Sequence, residues 1–418
     1  MYCGACTRDF VLARGLISRG HDVSVLPLYT PLRTDSAEPF VAGRVFLGGI
    51  NAWLQQQSAL FRYTPAWLDR IFDSPGLLWL ASGLAVKTRP RDLGAMTVSV
   101  LAGTEGRQVK EFRKLISHLQ AMPPPDLFII TNTLLSGFAQ ELKRHFAVPL
   151  ICGVQGEDAF LTAMPEPHRD RARELMQRNS AFIDLFISPT PDYAREMAAY
   201  LSVPHDRMRV VRTGIVAEDY ALDVPRVREP FTIGYLSVIT PAKGLDILVE
   251  AWRLLAQKGD RDIRLRVAGR VLDRGHWRGI LNAVRRATLA ARFEYCGEVD
   301  FAGKVDFLRR CSAFSVPGRC IEHRGLATME ALACGVPVVV PDAGVFPEMI
   351  SRTGGGLLVP PDDARALAEK MMLLMSDPEN ADRMGREGAR GIAAHYHAER
   401  SVEDMLGAIE AAMDQRQM

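Results

Sequence analysis

Short runs of apolar, largely β-branched residues alternate with amphipathic segments along most of the chain. The runs are apolar on both faces, as strands are when they lie in a parallel sheet covered by helices. Such alternation predicts an α/β fold built on doubly wound parallel sheets. The predicted strands cover residues 23–28, 127–131, 150–154, 185–188 and 208–211, followed by 231–236, 263–268, 293–296, 313–316, 336–340 and 356–359.

The length of 418 residues allows two domains, each with its own core. A polar stretch with two prolines, residues 222–230, is the predicted boundary. We expect one Rossmann-like domain at 1–224, a second at 225–395, and a final helix at 396–418 that crosses back to the first. The opening strand of the first domain is not found, because the residues up to Gly4 resemble the turn that normally follows it. Either the true start lies upstream or this domain lacks that strand.

The overall charge and apolar pattern exclude some classes of protein. The formal net charge of +2 does not indicate nucleic acid as a partner. No stretch is apolar enough to span a bilayer, and no secretory signal is found, so we expect a cytoplasmic protein, with the inner face of the membrane as an alternative location. Cys3 and Cys6 form a CxxC pair, but a zinc site would need a second pair, and no metal site is predicted.

The segment 36–122 is less regular and is rich in aromatic and basic residues. Two interpretations stay open. The segment can form surface helices that pack on the core, or it can form a platform that faces a substrate or a membrane, since basic residues beside exposed aromatics suit a bilayer interface.

The sharpest local motif begins at Glu322, after a predicted strand that ends at Val316. Glu322 lies in the loop, Gly325 at the start of a helix, and Glu330 inside that helix. The first N–H groups of a helix have no partner within it and point toward any bound anion. The motif therefore predicts an anion site flanked by two carboxylates that can accept hydrogen bonds from sugar hydroxyls.

Two other polar turns follow predicted strands. Lys243 and Gly244 come after 231–236, where the ammonium group could reach a phosphate. Gln155 and Asp158 come after 150–154, at the end of the strand where ligands bind in open parallel sheets. Taken alone, Lys243 is better explained as a surface lysine, and a polar turn explains the Gln155 segment as well as a site does.

Together these motifs resemble the retaining glycosyltransferases of family 4. The resemblance covers nearly the whole chain and is strongest in the second half. Glu322 and Glu330 match the paired-glutamate motif, Lys243 and Gly244 match the lysine–glycine pair, and 354–362 resembles the C-terminal signature. The resemblance implies the GT-B architecture, in which two Rossmann-like domains face a cleft.

The resemblance also implies roles for individual residues. Glu322 would contact the donor sugar near the reacting carbon, and Lys243 would neutralise the departing diphosphate. Glu330 would hold the ribose hydroxyls. The remaining implied donor-site positions are the diphosphate-binding backbone of Gly325, Leu326 and Ala327, together with Gly4 between donor and acceptor, and Gln155 and Asp158.

Three departures from the family pattern concern the donor site. The arginine that usually lies five residues before the lysine is Val238 here, which removes one of two cations. The phenylalanine usual before Gly325 is Arg324, and we expect this arginine to replace the lost charge. Gln155 stands where many members have histidine, and it can still hydrogen-bond a sugar hydroxyl.

The implied reaction moves a sugar from a UDP-, GDP- or ADP-linked donor to a carbohydrate, lipid-linked or small-molecule acceptor, with retention and without a metal or other cofactor. Peripheral membrane contact is an open expectation. Two alternatives remain. One is a sugar phosphorylase or epimerase of the same fold. The other is a catalytically weak nucleotide-sugar-binding protein, which the missing strand and Val238 would favour.

Overall fold

The structure is a computed structural model that describes residues 4–28, 41, 55–56, 58, 90–162, 164–220, 230–257 and 262–415. The chain divides into two compact units. One contains Arg212–Ser401, and the other contains the residues before Arg212 together with those from Val402 onward. The boundary predicted at 224/225 and most of the segment 36–122 fall outside the described residues, as does the side chain of each cysteine in the CxxC pair.

The unit that holds most of the first half of the chain is built on a four-stranded parallel sheet of order β1-β2-β3-β4. The strands are β1 (Phe128–Ile130), β2 (Leu150–Gly153), β3 (Leu185–Ser188) and β4 (Met208–Val210). The strand predicted at 23–28 is wrong for the described residues, because Val25 makes only an isolated bridge with Val41. A β-strand needs a series of backbone hydrogen bonds to its neighbour, and a single bridge does not supply one.

Helices pack on both sides of this sheet. They are α1 (Gly4–Ser18), α2 (Pro90–Leu101), α3 (Val109–Gln120), α4 (Ala139–Phe146), α5 (Glu157–Thr162), α6 (His168–Asn179), α7 (Pro191–Leu201) and, from Val402 onward, α15 (Ala398–Asp414). Val402 and Met405 of α15 share one apolar cluster with Leu12 of α1 and with Ile151 of β2. The last helix is therefore part of the core around this sheet.

The second unit contains a six-stranded parallel sheet of order β10-β9-β8-β5-β6-β7. Its strands are β5 (Phe231–Leu236), β6 (Ile263–Ala268), β7 (Phe293–Tyr295), β8 (Ala313–Phe314), β9 (Val338–Pro341) and β10 (Gly356–Val359). The chain runs outward from β5 to β6 and β7, and then returns to the other side of β5 at β8. The strand order thus reverses between β5 and β8, which is where open α/β sheets bind their ligands.

The helices of the second unit cover its sheet. They are α8 (Leu245–Gln257), α9 (Arg274–Arg286), α10 (Phe301–Arg309), α11 (Leu326–Ala333), α12 (Phe346–Thr353), α13 (Ala364–Ser376) and α14 (Pro378–His395). Trp252 of α8 is fully buried and donates its indole N–H to the Ile263 carbonyl oxygen at 3.1 Å. Among the described helices, none combines the length and the apolar character needed to cross a bilayer.

Candidate active site

The loops after β5 and β8 are locked together where the strand order reverses. Gly244 has a φ of 69°, in the left-handed region that favours glycine. A β-carbon on Gly244 would lie 1.9 Å from the carbonyl oxygen of Pro317 in the other loop. The backbone N–H groups of Arg319 and Cys320 donate to the Ala242 carbonyl oxygen at 2.9 and 3.3 Å. Close backbone approach thus fixes the distance between the two loops.

Each of these loops contributes one member of an ion pair. Lys243 Nζ donates to Glu322 Oε2 at 2.8 Å, and about a quarter of each side chain is exposed. Burial alone would raise the pKa of Glu322, but the Lys243 ammonium, with the charge and the backbone N–H of Arg324, lowers this pKa to about 2. Burial likewise opposes the charge on Lys243, but the Glu322 carboxylate raises the pKa of the lysine. Both groups are therefore charged at neutral pH.

Glu322 also borders the N-terminus of α11. Its Oε1 lies 3.3 Å from the backbone nitrogen of Arg324 and 3.5 Å from that of Gly325. Gly325 is the residue before the helix, with a φ of 66°, and no side chain caps the helix. The N–H groups of the first helical turn, from Leu326 on, therefore have no partner within the helix and carry its positive dipole end.

These elements surround a pocket that is open to solvent. Five of the predicted site residues line it: Lys243, Glu322, Gly325, Leu326 and Ala327. Arg324 contributes its backbone N–H to Glu322, and its charge affects the pKa of both Glu322 and Lys243. Ser237, Cys320 and Thr328 also line the pocket. The sequence motifs did not single out these three, although each lies within six residues of a predicted position.

Glu330 lies one helical turn further along α11. It is 7% exposed, and it is not among the residues that line the pocket. Its Oε1 accepts a hydrogen bond from the Tyr220 hydroxyl at 3.0 Å and another from Lys304 Nζ. Neither partner is close to Glu330 in sequence, and no sequence pattern pointed to them.

An arginine anchors the loop that contains Glu322. Arg319 donates to both carboxylate oxygens of Asp246 at 2.9 and 2.7 Å, and to the Pro241 carbonyl oxygen at 3.0 Å. Its Nε lies 3.0 Å from a carboxylate oxygen of Asp362. The planar guanidinium group thus ties the β8 loop to the residues on both sides of Lys243. Sequence reasoning missed Arg319, since an arginine in a loop gives no signal of its partners.

Three predicted site residues lie in the other unit. Gly4 is the first residue of α1. Gln155 donates its side-chain amide to the Thr131 carbonyl oxygen at 2.8 Å. Asp158 accepts a hydrogen bond from the Tyr193 hydroxyl at 2.6 Å. Gln155 and Asp158 thus lie beyond the carboxyl end of β2, as the sequence indicated.

The turn between Gln155 and Asp158 is organised by Glu157, which is 4% exposed. Its carboxylate accepts hydrogen bonds from the backbone N–H groups of Gln155 at 2.6 Å and Thr133 at 3.1 Å. Burial raises the pKa of Glu157, although these hydrogen bonds oppose the shift. Glu157 therefore fixes the loops after β1 and β2, a role that the sequence alone does not reveal.

Among the residues that the structure describes, no cluster of metal-ligating side chains is found near these groups. No three His, Cys, Asp or Glu side chains of the described residues are arranged to hold a metal ion.

Comparison with protein families matches both halves of the chain. The family described as Glycosyl transferases group 1 matches residues 222–391. The Glycosyl transferase 4-like domain matches residues 10–214. Lys243, Glu322 and Glu330 all lie in the first of these matches.

The chain is also similar in sequence to individual proteins that are named as glycosyltransferases. The chain is 27% identical over 262 residues to D-inositol 3-phosphate glycosyltransferase of Jonesia denitrificans, covering 59% of this chain and 61% of that protein. It thus spans about three fifths of the length of that relative.

Two solved structures share the fold. Sucrose-phosphate synthase from Thermosynechococcus elongatus has a TM-score of 0.68 at 18% identity, with 97% of this chain and 92% of that chain covered. Anabaena HepE in complex with UDP-glucose has a TM-score of 0.62 at 16% identity, with 92% and 99% covered. With its two parallel-sheet units and its match to both domain families, this chain belongs to the group 1 family of GT-B glycosyltransferases.

Proposed function

We propose that this protein transfers a sugar from a nucleotide-sugar donor to an acceptor hydroxyl, with retention of anomeric configuration. The observation that carries the proposal is the pocket between the β5 and β8 loops. There the Lys243 ammonium, the Glu322 carboxylate and the free N–H groups of α11 face the same space. A diphosphate needs cationic and N–H groups, and a sugar needs hydrogen-bond acceptors.

The chemistry follows from where charge develops. As the bond between the anomeric carbon and the diphosphate oxygen breaks, its electron pair passes to the diphosphate. Lys243 and the N-terminus of α11 would stabilise that negative charge. The acceptor oxygen would form the new bond on the face that the leaving group vacates, and its proton would pass to the released diphosphate. Glu322, whose lowered pKa keeps it ionised, would stabilise positive charge on the sugar ring.

Arg324 supports the proposal at the position where the usual arginine is absent. Its charge lowers the pKa of Glu322 and opposes protonation of Lys243, so its guanidinium contributes to the potential in the pocket. We expect Arg324 to supply the cation that Val238 cannot supply. Unchanged donor affinity in Arg324→Ala would contradict this assignment.

The donor is identified by calorimetric titration with UDP-, GDP- and ADP-linked sugars. UDP-glucose is the first donor to test, since the related HepE structure contains it. Lys243→Met should weaken binding of the preferred donor at least tenfold, since a charge-assisted hydrogen bond contributes about 1.5–3 kcal/mol. Lys370→Met, on α13 of the same unit, is the matched control and should bind like wild type. Equal binding by wild type and Lys243→Met would contradict the proposed site.

Turnover is then measured with the preferred donor and a panel of acceptors. D-inositol 3-phosphate is the first acceptor to test, as the name of the Jonesia relative indicates. The proposal predicts acceptor-dependent release of nucleoside diphosphate and a product of unchanged anomeric configuration. Phosphorolysis or epimerisation of the donor would instead indicate a sugar phosphorylase or an epimerase of the same fold. Donor binding without turnover on any acceptor would instead indicate a catalytically weak nucleotide-sugar-binding protein.

A further inference from the structure

The carboxylate of Glu330 receives two donors from elements far apart in the chain. Tyr220, which precedes β5, donates its hydroxyl to Oε1 at 3.0 Å. Lys304, on α10, donates its ammonium to the same oxygen. Both contacts involve groups that are largely removed from solvent: the side chains of Lys304 and Glu330 are 18% and 10% exposed, and Tyr220 is buried.

Two aromatic rings hold Lys304 in place. Its Nζ lies 5.5 Å from the centroid of the Tyr220 ring and 5.1 Å from that of Phe301. The two rings pack edge to face at 5.4 Å. A cation near aromatic rings is attracted to their faces, and low exposure increases the Coulomb attraction between the Lys304 ammonium and the Glu330 carboxylate. The ammonium group is thus confined to one position.

Tyr220 and Lys304 both contact the same one of the two carboxylate oxygens of Glu330. Both donors contact Oε1, and no described residue donates a hydrogen bond to Oε2. Glu330 lies four residues after Leu326 and three after Ala327, so it shares the helix face that lines the pocket. One helical turn, about 5.4 Å, separates it from the N–H groups at the start of α11. A group bound through its diphosphate at those N–H groups would extend along α11 toward Oε2.

We propose that Tyr220 and Lys304 are positioning residues that orient Glu330 to accept hydrogen bonds from the ribose hydroxyls of the donor nucleotide. The inference rests on the proposed function, because it requires a nucleotide in the pocket. Lys304 compensates the buried charge, and Tyr220 fixes the rotamer. Because both residues contact Oε1, Oε2 can accept a hydrogen bond from the ligand.

The test compares ribose recognition with overall binding. Calorimetry measures the affinity for UDP, GDP and ADP, and for the 2′,3′-dideoxy form of each. The measured quantity is the ratio of the two dissociation constants, dideoxy over ribose. The proteins are wild type, Lys304→Met, Lys304→Arg and Tyr220→Phe, with Lys370→Met as the matched control on α13.

We expect wild type to prefer the ribose form at least tenfold, since a hydrogen bond to a charged group contributes about 1.5–3 kcal/mol. Lys304→Met should reduce the ratio about tenfold, and Tyr220→Phe about threefold. Lys304→Arg should restore part of the preference, and Lys370→Met should match wild type. A purely structural role would lower thermal stability or weaken both nucleotides alike, without changing the ratio.

An unchanged ratio in both Lys304→Met and Tyr220→Phe would overturn the inference while leaving the proposed function standing. If wild type bound none of the three diphosphates, the proposed function itself would fail, and this inference with it. Tyr220→Phe keeps the ring packed on Phe301. If Lys304→Met does not fold, the ratio measured for Tyr220→Phe therefore tests the inference.

Discussion

Replacement of Gly244 by alanine should disable the pocket without touching a charged group. The new β-carbon would lie 1.9 Å from the Pro317 carbonyl oxygen, so the two loops must separate by about 1.5 Å to reach ordinary contact. The φ of 69° adds strain of about 1–2 kcal/mol for a residue with a side chain. Because Lys243 and Glu322 lie on opposite sides of this contact, their separation should change with it.

The expected effect on catalysis is large. A misplacement of about 1 Å in a catalytic arrangement costs on the order of 100-fold in rate. We therefore expect kcat/KM of Gly244→Ala to fall at least 100-fold, measured as release of nucleoside diphosphate from the preferred donor. Thermal denaturation, followed by circular dichroism, should show a lower Tm and one folded state.

The same substitution elsewhere in the unit provides the control. A β-carbon on Gly279 of α9 would meet nothing within 4 Å. Alanine there should raise the Tm slightly, since alanine is favoured over glycine in a helix by about 1 kcal/mol, and activity should not change. Activity of Gly244→Ala within threefold of wild type, at an unchanged Tm, would refute the reasoning about the loop contact.

Three further predictions concern other parts of the site. The pKa of Glu322 lies at about 2 in the folded protein against 4.5 without its partners, so its contribution is full above pH 4.5 and is lost toward pH 2. Urea titrations should therefore show Glu322→Gln to be less stable than wild type by about 2 kcal/mol more at pH 6 than at pH 3; a difference that does not vary with pH would contradict the assignment. Arg319→Met removes the bidentate contact to Asp246, and we expect donor affinity, measured by calorimetry, to fall about fivefold with little change in Tm, since such partly exposed pairs contribute about 1 kcal/mol at most. Wild-type affinity in that variant would show that the loop keeps its position without the arginine. Gly325→Ala places a β-carbon 2.7 Å from the flexible end of Met349, which can move, so its loss of kcat/KM should be smaller than that of Gly244→Ala; the reverse order would contradict the distinction between a side-chain and a backbone clash.

The sequence indicated that the residues of the proposed site lie close together, because they follow strands in a parallel sheet. Lys243 comes after β5 and Glu322 after β8, and these strands are neighbours where the sheet order reverses. Gly244 and Gly325 marked the turns. Both have positive φ angles, which glycine adopts at little cost. Motif, turn and strand order therefore gave consistent predictions.

Contacts between distant elements could not be predicted in the same way. Tyr220 and Glu330 are 110 positions apart, and Arg319 and Asp246 are 73 apart. Each pair depends on how helices and loops pack, and a single tyrosine or arginine in a loop is compatible with many partners. The strand predicted at 23–28 failed for a related reason. An apolar run becomes a strand only where another segment supplies a ladder of hydrogen bonds, and Val25 has one bridge.

The most direct measurement is a crystal structure of the protein with the nucleoside diphosphate that it binds best. We predict that the diphosphate oxygens lie about 3 Å from the backbone nitrogens of Leu326 and Ala327 and from Lys243 Nζ, with Glu330 facing the ribose. A nucleotide bound elsewhere, with these N–H groups and the lysine untouched, would contradict the account.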